Sequence, residues 1–439
     1  MTDVWQHTVE VTKAWLSQAR SPRDTIADNP VLRGESSGVR ASVVRAAQAV
    51  VGSQRRLEYV LGGAAGLGHL PLRARALALV LAHAVEREAM LPADAESLCA
   101  TAASCRIDFG GVRLVEQRLA VIADDAQRFA VRHSMPDWLG AQLLSQFRGE
   151  AAAVARSLGS AAPRTLRTNT LRIATRTELA AALLARGVPT RAAVHAPLGL
   201  HVEGDADLFA LDLYRQGAFE QQDEASQLAA LVVAPPPGGR VLDLCAGSGG
   251  KTLALAAALR DRGEILATDV HAGRLEALRM RVRRAGVGNV RSLSVSEHSL
   301  GDVVGAFADR ADRILVDAPC SGTGSWRRRP EARWSLTPER LESLVAAQDR
   351  VLDRAASVLR PGARLVYATC SLLEVENQGR AVALQARWPH LELVRIAEIL
   401  GGDVARPIAD VTGTFLVLRP DRHGCDGFFA AVLRRRRTD

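Results

Sequence analysis

An apolar strand runs straight into a glycine-rich turn at Val241-Leu-Asp-Leu-Cys-Ala-Gly-Ser-Gly-Gly-Lys-Thr252, and this restricts the fold more than any other segment. From there to the C-terminus, strand-like segments recur at Arg240–Cys245, Glu264–Asp269, Val290–Val295, Arg313–Asp317 and Arg364–Thr369, separated by helical or loop crossovers. Such alternation predicts a mostly parallel α/β sheet with helices on both faces. Thr414–Arg419 and Gly427–Leu433 read as an antiparallel hairpin added at the sheet edge. Ligands of such folds sit beyond the carboxyl ends of the strands. Those ends are Asp243/Cys245, Asp269, Glu297, Asp317/Cys320 and Thr369/Cys370, and together they form the candidate site.

Upstream the patterning changes twice. Residues 1–130 carry apolar side chains at i, i+3, i+4 and i+7, as in Val39–Val51 and Leu72–Ala84, which predicts an α-helical bundle. Residues 131–235 mix a helix near Pro136, a β-branched strand at Leu166–Arg172 and a helix over Thr177–Arg186 closed by Gly187. That is a small α/β subdomain, and the turn Ala234-Pro-Pro-Pro-Gly-Gly239 separates it from a third domain over 236–439.

The 439 residues are ample for several cores, and no apolar run approaches the roughly 18 residues of a membrane span. The first residues lack the basic start and apolar run of a secretion signal. Six cysteines lie far apart, with no CxxC pair and no His/Cys cluster at zinc spacing, so no metal is expected. The expectation is a reduced cytoplasmic protein, monomeric, whose special cysteines are reactive rather than bridged. A net charge of +8 favours a polyanionic partner. The basic side chains are almost all Arg; only Lys13 and Lys251 are Lys. A compact, titratable ammonium that enters a tight pocket gives Lys251 a reason to be there, although chance survival at a helix start is the plainer reading.

Two readings of the glycine loop compete. Gly250-Lys251-Thr252 fits the end of a phosphate-binding Walker loop, and Ile314–Asp317 imitates its acidic partner strand, but Cys245 stands where that motif needs its first Gly. Asp269, ending the next strand, is placed for a ribose hydroxyl pair, which an adenosine cofactor has use for and a Walker ATPase has not. Its plainer role is to cap the helix that follows. Cys320 in Asp317-Ala-Pro-Cys-Ser-Gly-Thr-Gly324 and Cys370 in Tyr367-Ala-Thr-Cys-Ser371 both end strands beside this loop. A lone buried Cys is usually a small hydrophobe; two at one sheet end are harder to set aside.

Leu242–Thr252, Asp317–Gly324 and Thr369–Ser371, with Gln222-Asp-Glu-Ala-Ser226 before them, resemble the Sun-type RNA cytosine-5 methyltransferase family. The bacterial 16S ribosomal-RNA branch is the most similar, over about 131–433. The helical first part resembles the RNA-binding domain of antitermination factor NusB that this branch carries. The resemblance implies a Rossmann-like domain using S-adenosyl-L-methionine (AdoMet). Cytosine C5 is too poor a nucleophile for a methyl sulfonium until a thiolate has added at C6. By resemblance Cys370 is that nucleophile and Cys320 assists release, although Pro319-Cys320 alone would suggest the reverse, because DNA cytosine-5 enzymes attack with a Pro-Cys thiol. Asp317 would hold the cytosine edge and Lys251 would lie near base and cofactor. Cys245, Ala246, Gly247, Ser248, Gly249, Gly250, Lys251, Asp269, Glu297 and Asp317 would line the cofactor. Two positions depart from the pattern: Glu297 stands for the usual Asp, and Ser248 for a Pro that would stiffen the loop. Arg327, Arg328 and Arg333, interleaved with Trp326 and Trp334, suit phosphate contact and base stacking in RNA. A Walker-type ATPase and a non-catalytic RNA-binding assembly factor are the alternative functions.

Overall fold

The computed structural model describes residues 3–18, 21–295, 305 and 307–437; Glu297, expected on the adenine side, lies outside them. The chain forms two compact units, Met1–Ala161 with Trp326–Thr337, and Ala162–Ser325 with Pro338–Asp439.

The first unit is helical throughout its described residues. Helix Ser37–Gly62 starts where the Ser36 hydroxyl accepts the Val39 N–H at 3.3 Å and stops at Gly63, whose φ of +61° ends the helical path. Helix Leu72–Glu86 is apolar on nearly every side, as a central helix must be, and packs among Asp3–Gln18, Ser37–Gly62 and Pro92–Ala103. The unit extends past the expected boundary at 130. Helices Asp137–Phe147 and Ala151–Leu158 belong to it, burying Leu139, Leu143, Val154 and Leu158. Gly140 lets helix Asp125–Arg132 approach so closely that a Cβ there would lie 2.7 Å from the Ala130 Cβ.

The second unit contains both sheets. The smaller is antiparallel, in the order β2-β3-β1-β4, from β1 (Arg164–Thr168), β2 (Thr190–Ala192), β3 (Gly199–Val202) and β4 (Phe219–Gln221). The larger follows the order β10-β12-β9-β8-β5-β6-β7. Its strands are β5 (Arg240–Asp243), β6 (Glu264–Asp269), β7 (Val290–Ser294), β8 (Arg313–Asp317), β9 (Arg364–Thr369), β10 (Leu391–Val394) and β12 (Phe428–Arg435), with β11 (Leu416–Leu418) paired to β12. Strands β5 to β9 are mutually parallel, and all five expected strands are present within two residues of their expected ends.

Pleating sends Val241, Ile265, Leu315 and Val366 into one core and Leu242, Leu266, Ile314 and Leu365 into the other. Each such side chain, fully buried, contributes about 1.5–3 kcal/mol, which holds the strand ends in register. The sheet is Rossmann-like, with β12 antiparallel to both its neighbours. The expected edge position of this last strand is corrected. β12 lies between β9 and β10, and β10 is the outer strand. Six consecutive residues of β12, Phe428 to Leu433, are buried on both faces, a burial that an edge strand cannot provide.

Candidate active site

At the end of β5 the chain turns through Gly247 (φ +54°) and Gly249 (φ +85°) into helix Gly250–Ala258. Gly249 has no alternative residue, because a Cβ there would lie 2.7 Å from the Leu278 Cγ. Gly247 has nothing within 4 Å of where a Cβ would sit, which leaves its backbone open to a ligand. Asp269, ending β6, accepts the Gly247 N–H at 2.9 Å through Oδ2 and the His271 N–H at 2.8 Å through Oδ1. It therefore both organises the turn after β6 and ties β6 to the glycine loop, and each oxygen retains a lone pair for a hydroxyl. Arg281 supplies stiffness where Ser248 replaces Pro: its Nη1 donates to the Ser248 carbonyl at 2.8 Å and hydroxyl at 3.2 Å. Glu220 on β4 anchors that arginine at 2.9 Å. Gln222, held by Arg167 Nε at 2.6 Å, lies 3.6 Å from the Cβ position of Gly250, so the Gln222–Ser226 segment backs the same loop.

Lys251 and Asp317 meet across the strand ends, with Nζ donating to Oδ2 at 2.7 Å and the ammonium 4.6 Å above the Phe428 ring. Thr252 Oγ1 donates to Asp243 Oδ2 at 2.7 Å. Burial pushes the Asp243 carboxyl up to about 7, with Asp317 and Asp269 adding to the effect while Thr252 and Lys251 oppose it. Burial likewise pushes the Cys245 thiol up, so this sulfur lines the loop as a neutral group.

The sulfurs of Cys320 and Cys370 are 3.5 Å apart at the ends of adjacent β8 and β9. Their loops are locked together: the Gly324 N–H donates to the Cys370 carbonyl at 2.9 Å, and the Leu372 N–H to Thr323 Oγ1 at 2.8 Å. Gly324 must be glycine, since a Cβ would lie 2.2 Å from the Gly427 carbonyl oxygen. The two thiols differ in acidity. The hydrogen bond between them raises Cys320 and lowers Cys370; burial and the charge of Glu376 further raise Cys320, whereas at Cys370 burial and Asp317 oppose the lowering and Lys251 and Ser325 add to it. Cys370 is thus the more acidic thiol of the pair.

Two residues that sequence reasoning missed hold this arrangement. Glu376, fully buried, accepts the Ser321 N–H at 2.8 Å and Gln348 Nε2 at 3.0 Å, and both the Ser321 and Ser371 hydroxyls at 2.5 Å. Asn377 Nδ2 donates to the Ser371 carbonyl at 2.9 Å while its Oδ1 accepts from Thr369 Oγ1 at 2.5 Å, bracketing Cys370. The only signal in the sequence was an acid-amide pair beginning six residues beyond a strand-end cysteine. Arg333 is a correction. It belongs to the first unit and is buried, with Nη1 donating to the carbonyls of Gly52, His133 and Ser134 and Nη2 to that of Leu158. A guanidinium buried against main-chain carbonyls is out of reach of a phosphate. Arg327 and Arg328 are half-buried in the same segment. Trp326 and Trp334 are also turned inward, Trp334 Nε1 donating to the Val51 carbonyl at 3.3 Å.

Residues 230–434 match the family described as 16S rRNA methyltransferase RsmB/F, and residues 135–208 match the ferredoxin-like domain of RsmF/B-like methyltransferases. The chain belongs to that family. Similar proteins include a probable ribosomal RNA small subunit methyltransferase B from Synechocystis sp., 29% identical over 74% of this chain and 72% of the relative. Ribosomal RNA small subunit methyltransferase B from Vibrio cholerae is 31% identical over 70% of this chain and 66% of its own length. The F enzyme of Cronobacter sakazakii is 35% identical over 62% of this chain, which spans 57% of that relative. Among solved structures, PH0851 shares the fold over 99% of both chains (TM-score 0.77, 22% identity). A methyltransferase homolog from Pyrococcus horikoshii matches with a TM-score of 0.60 and 26% identity over 72% of this chain and all of the other. The RsmB/F family matches leave residues 1–134 uncovered, and they contain no match to a NusB-like domain.

Proposed function

We propose that this chain transfers a methyl group from AdoMet to C5 of a cytosine in 16S rRNA through a covalent Cys370–C6 adduct. The observation that carries the proposal is the pair of sulfurs 3.5 Å apart on adjacent strand ends, beside the Lys251–Asp317 pair and one strand from the glycine loop. The loop fits the cofactor: Gly247 is open to an adenosine, Asp269 retains lone pairs for ribose hydroxyls, and Cys245 is neutral. When bound, AdoMet supplies an electrophilic methyl group.

The chain's own residues supply the rest. The Cys370 thiolate adds to C6, and the C5=C6 electron pair becomes available at C5, where the methyl group is taken up. Asp317 accepts the cytosine amino N–H while Lys251, at 2.7 Å, keeps its carboxylate charged and oriented. H5 then leaves as a proton to solvent, C5=C6 re-forms, and the C6–S bond breaks with its electrons returning to Cys370. Cys320, donating S–H across 3.5 Å, stabilises the departing thiolate. Splitting the reaction this way replaces one difficult step by two easier ones.

The phosphate-loop reading is disfavoured by the same geometry. Thr252 Oγ1 is spent on Asp243 and Lys251 Nζ on Asp317, the two groups that loop would turn toward magnesium and phosphate. RNA is engaged through the excess positive charge, with Arg327 and Arg328 contributing and Arg333 serving the fold. Bisulfite sequencing of 16S rRNA from a deletion strain, before and after complementation, tests the reading: one cytosine should lose and regain protection. Calorimetry showing ATP-Mg²⁺ binding without AdoMet binding would replace it with an ATPase. Replacing Arg327 and Arg328 together by Ala should weaken RNA binding and flatten its salt dependence, leaving AdoMet affinity unchanged.

A further inference from the structure

When two thiols 3.5 Å apart lose one proton between them, the proton that remains must reside on one of the two sulfurs. Their immediate strand neighbours do not distinguish them, since β8 and β9 are parallel and both cysteines follow the last strand residue closely. The asymmetry comes from what lies behind each loop. Cys370 feels the paired charges of Lys251 and Asp317, which act on it in opposite directions, and Ser325 hydrogen-bonds to it. Behind Cys320 is Glu376, bonded to the backbone N–H and the hydroxyl of Ser321, the adjacent residue. Gln348 completes the arrangement from helix Pro338–Ser357, donating to both the Pro319 carbonyl at 2.9 Å and Glu376 Oε1 at 3.0 Å. The carboxylate therefore holds Ser321 directly, Pro319 through Gln348, and Ser371, the residue after Cys370, through its hydroxyl.

We propose that Glu376 is a positioning residue that selects the nucleophile: its buried carboxylate binds the two cysteine loops together and keeps the shared proton on Cys320. A negative charge buried beside one thiol opposes its ionisation, and low-dielectric surroundings enlarge the effect. The directions agree, since Glu376 is among the groups that raise Cys320, and Cys370 is lowered. The inference rests on the two-thiol reading above, and its test is made on free enzyme without RNA or AdoMet.

The intact protein is treated with a limiting amount of iodoacetamide across pH 6–10, and modification at Cys320 and Cys370 is quantified by peptide mass mapping. Native enzyme should react preferentially at Cys370. In Glu376→Gln, a near-isosteric change whose serine partners can reorient their hydroxyls, the Cys370:Cys320 ratio should fall at least tenfold and the Cys370 pH profile should move upward. Glu376→Asp, which keeps the charge, should restore most of the preference. An unchanged ratio in folded Glu376→Gln overturns the proposal even if methylation falls, because only a structural role would then remain. Should Glu376→Gln not fold, Cys370→Ser decides: Cys320 alone must ionise above the ordinary cysteine range, and ionisation at or below it overturns the proposal. Native enzyme reacting first at Cys320 overturns both the proposal and the nucleophile assignment. Native preference for Cys370 without methylation of any rRNA cytosine would instead overturn the functional reading and support the selection of Cys370 by Glu376.

Discussion

The two halves of the site are built by different means. On the cofactor side, at the ends of β5 and β6, the loop owes its shape mainly to local chemistry: two positive-φ glycines and an acid 22 residues from Gly247 that bonds its N–H. Arg281 and Gln222 only steady it from behind. On the thiol side, at the ends of β8 and β9, Cys370 has a local frame in Thr369, Ser371, Glu376 and Asn377, but the two cysteines are brought together only by distant partners. They are placed by a polar cluster of Ser321, Thr323, Gln348, Ser371, Glu376 and Asn377, gathered from three separate segments. The cofactor half is thus a motif, and the thiol half is a tertiary construction, in which loss of one partner strands buried polar groups.

The sharpest test of this division is to remove the thiols. Cys370→Ala should lose all measurable methylation and form no covalent RNA adduct, while AdoMet affinity by calorimetry stays within twofold of native. Cys320→Ala should methylate but accumulate protein crosslinked to RNA on denaturing gels; adduct in Cys370→Ala instead would reverse the assignment. Lys251→Ala, which cuts the side-chain link from Lys251 to Asp317 between the halves, should lower kcat by about 10²-fold with a smaller change in cofactor KM, in the range that a positioned acid–base group contributes. A change confined to cofactor KM would place Lys251 on the cofactor side alone.

The third test uses pH. The Asp243 carboxyl rises from 3.8 in the unfolded chain to about 7 in the folded protein. Between those values the folded state holds a proton that the unfolded state has released. The stabilisation is therefore complete below about 3.8, declines as pH rises, and is gone above about 7. Asp243→Asn should remove this slope, so that the native-minus-variant stability falls by on the order of 4 kcal/mol from pH 4 to 7.5 in denaturant titrations. A parallel pair of curves would show that Asp243 is not the titrating group. The smallest effect is expected for Arg281→Ala. Loss of its bonds to Ser248 should raise the AdoMet Kd about fivefold, near 1 kcal/mol, with kcat at saturation preserved. A kcat loss instead would mean that the glycine loop also positions the thiol half.

Much of the site was legible because its residues lie at strand ends, and strand ends follow from alternation. Cys320, Cys370, Asp317, Lys251, Asp269 and the glycine loop are brought together by the parallel order β9-β8-β5-β6, which the five apolar segments predict as a class though not in sequence of neighbours. The place of β12 was not legible, because an apolar strand near the C-terminus reads alike whether it is an edge or is inserted between two partners. Arg333 was misread for a related reason. Arginine beside tryptophan suggests nucleic acid, but the same pair forms when four main-chain carbonyls need a donor in a helical interior.

The chain's own residues determined the regular features: period-two and period-3.6 patterning, the glycines whose φ only glycine adopts easily, and the chemistry available at each strand end. Only the tertiary structure decided which strand lies beside which, that Trp326–Thr337 folds with the first unit, and that Glu376 joins Ser321, the residue after Cys320, to Ser371, the residue after Cys370. Local pattern is set by dihedral sterics and side-chain periodicity, which act over a few residues. Proton placement depends on charges that meet through space from segments 55 residues apart, as Glu376 meets Ser321, and no local pattern encodes that distance.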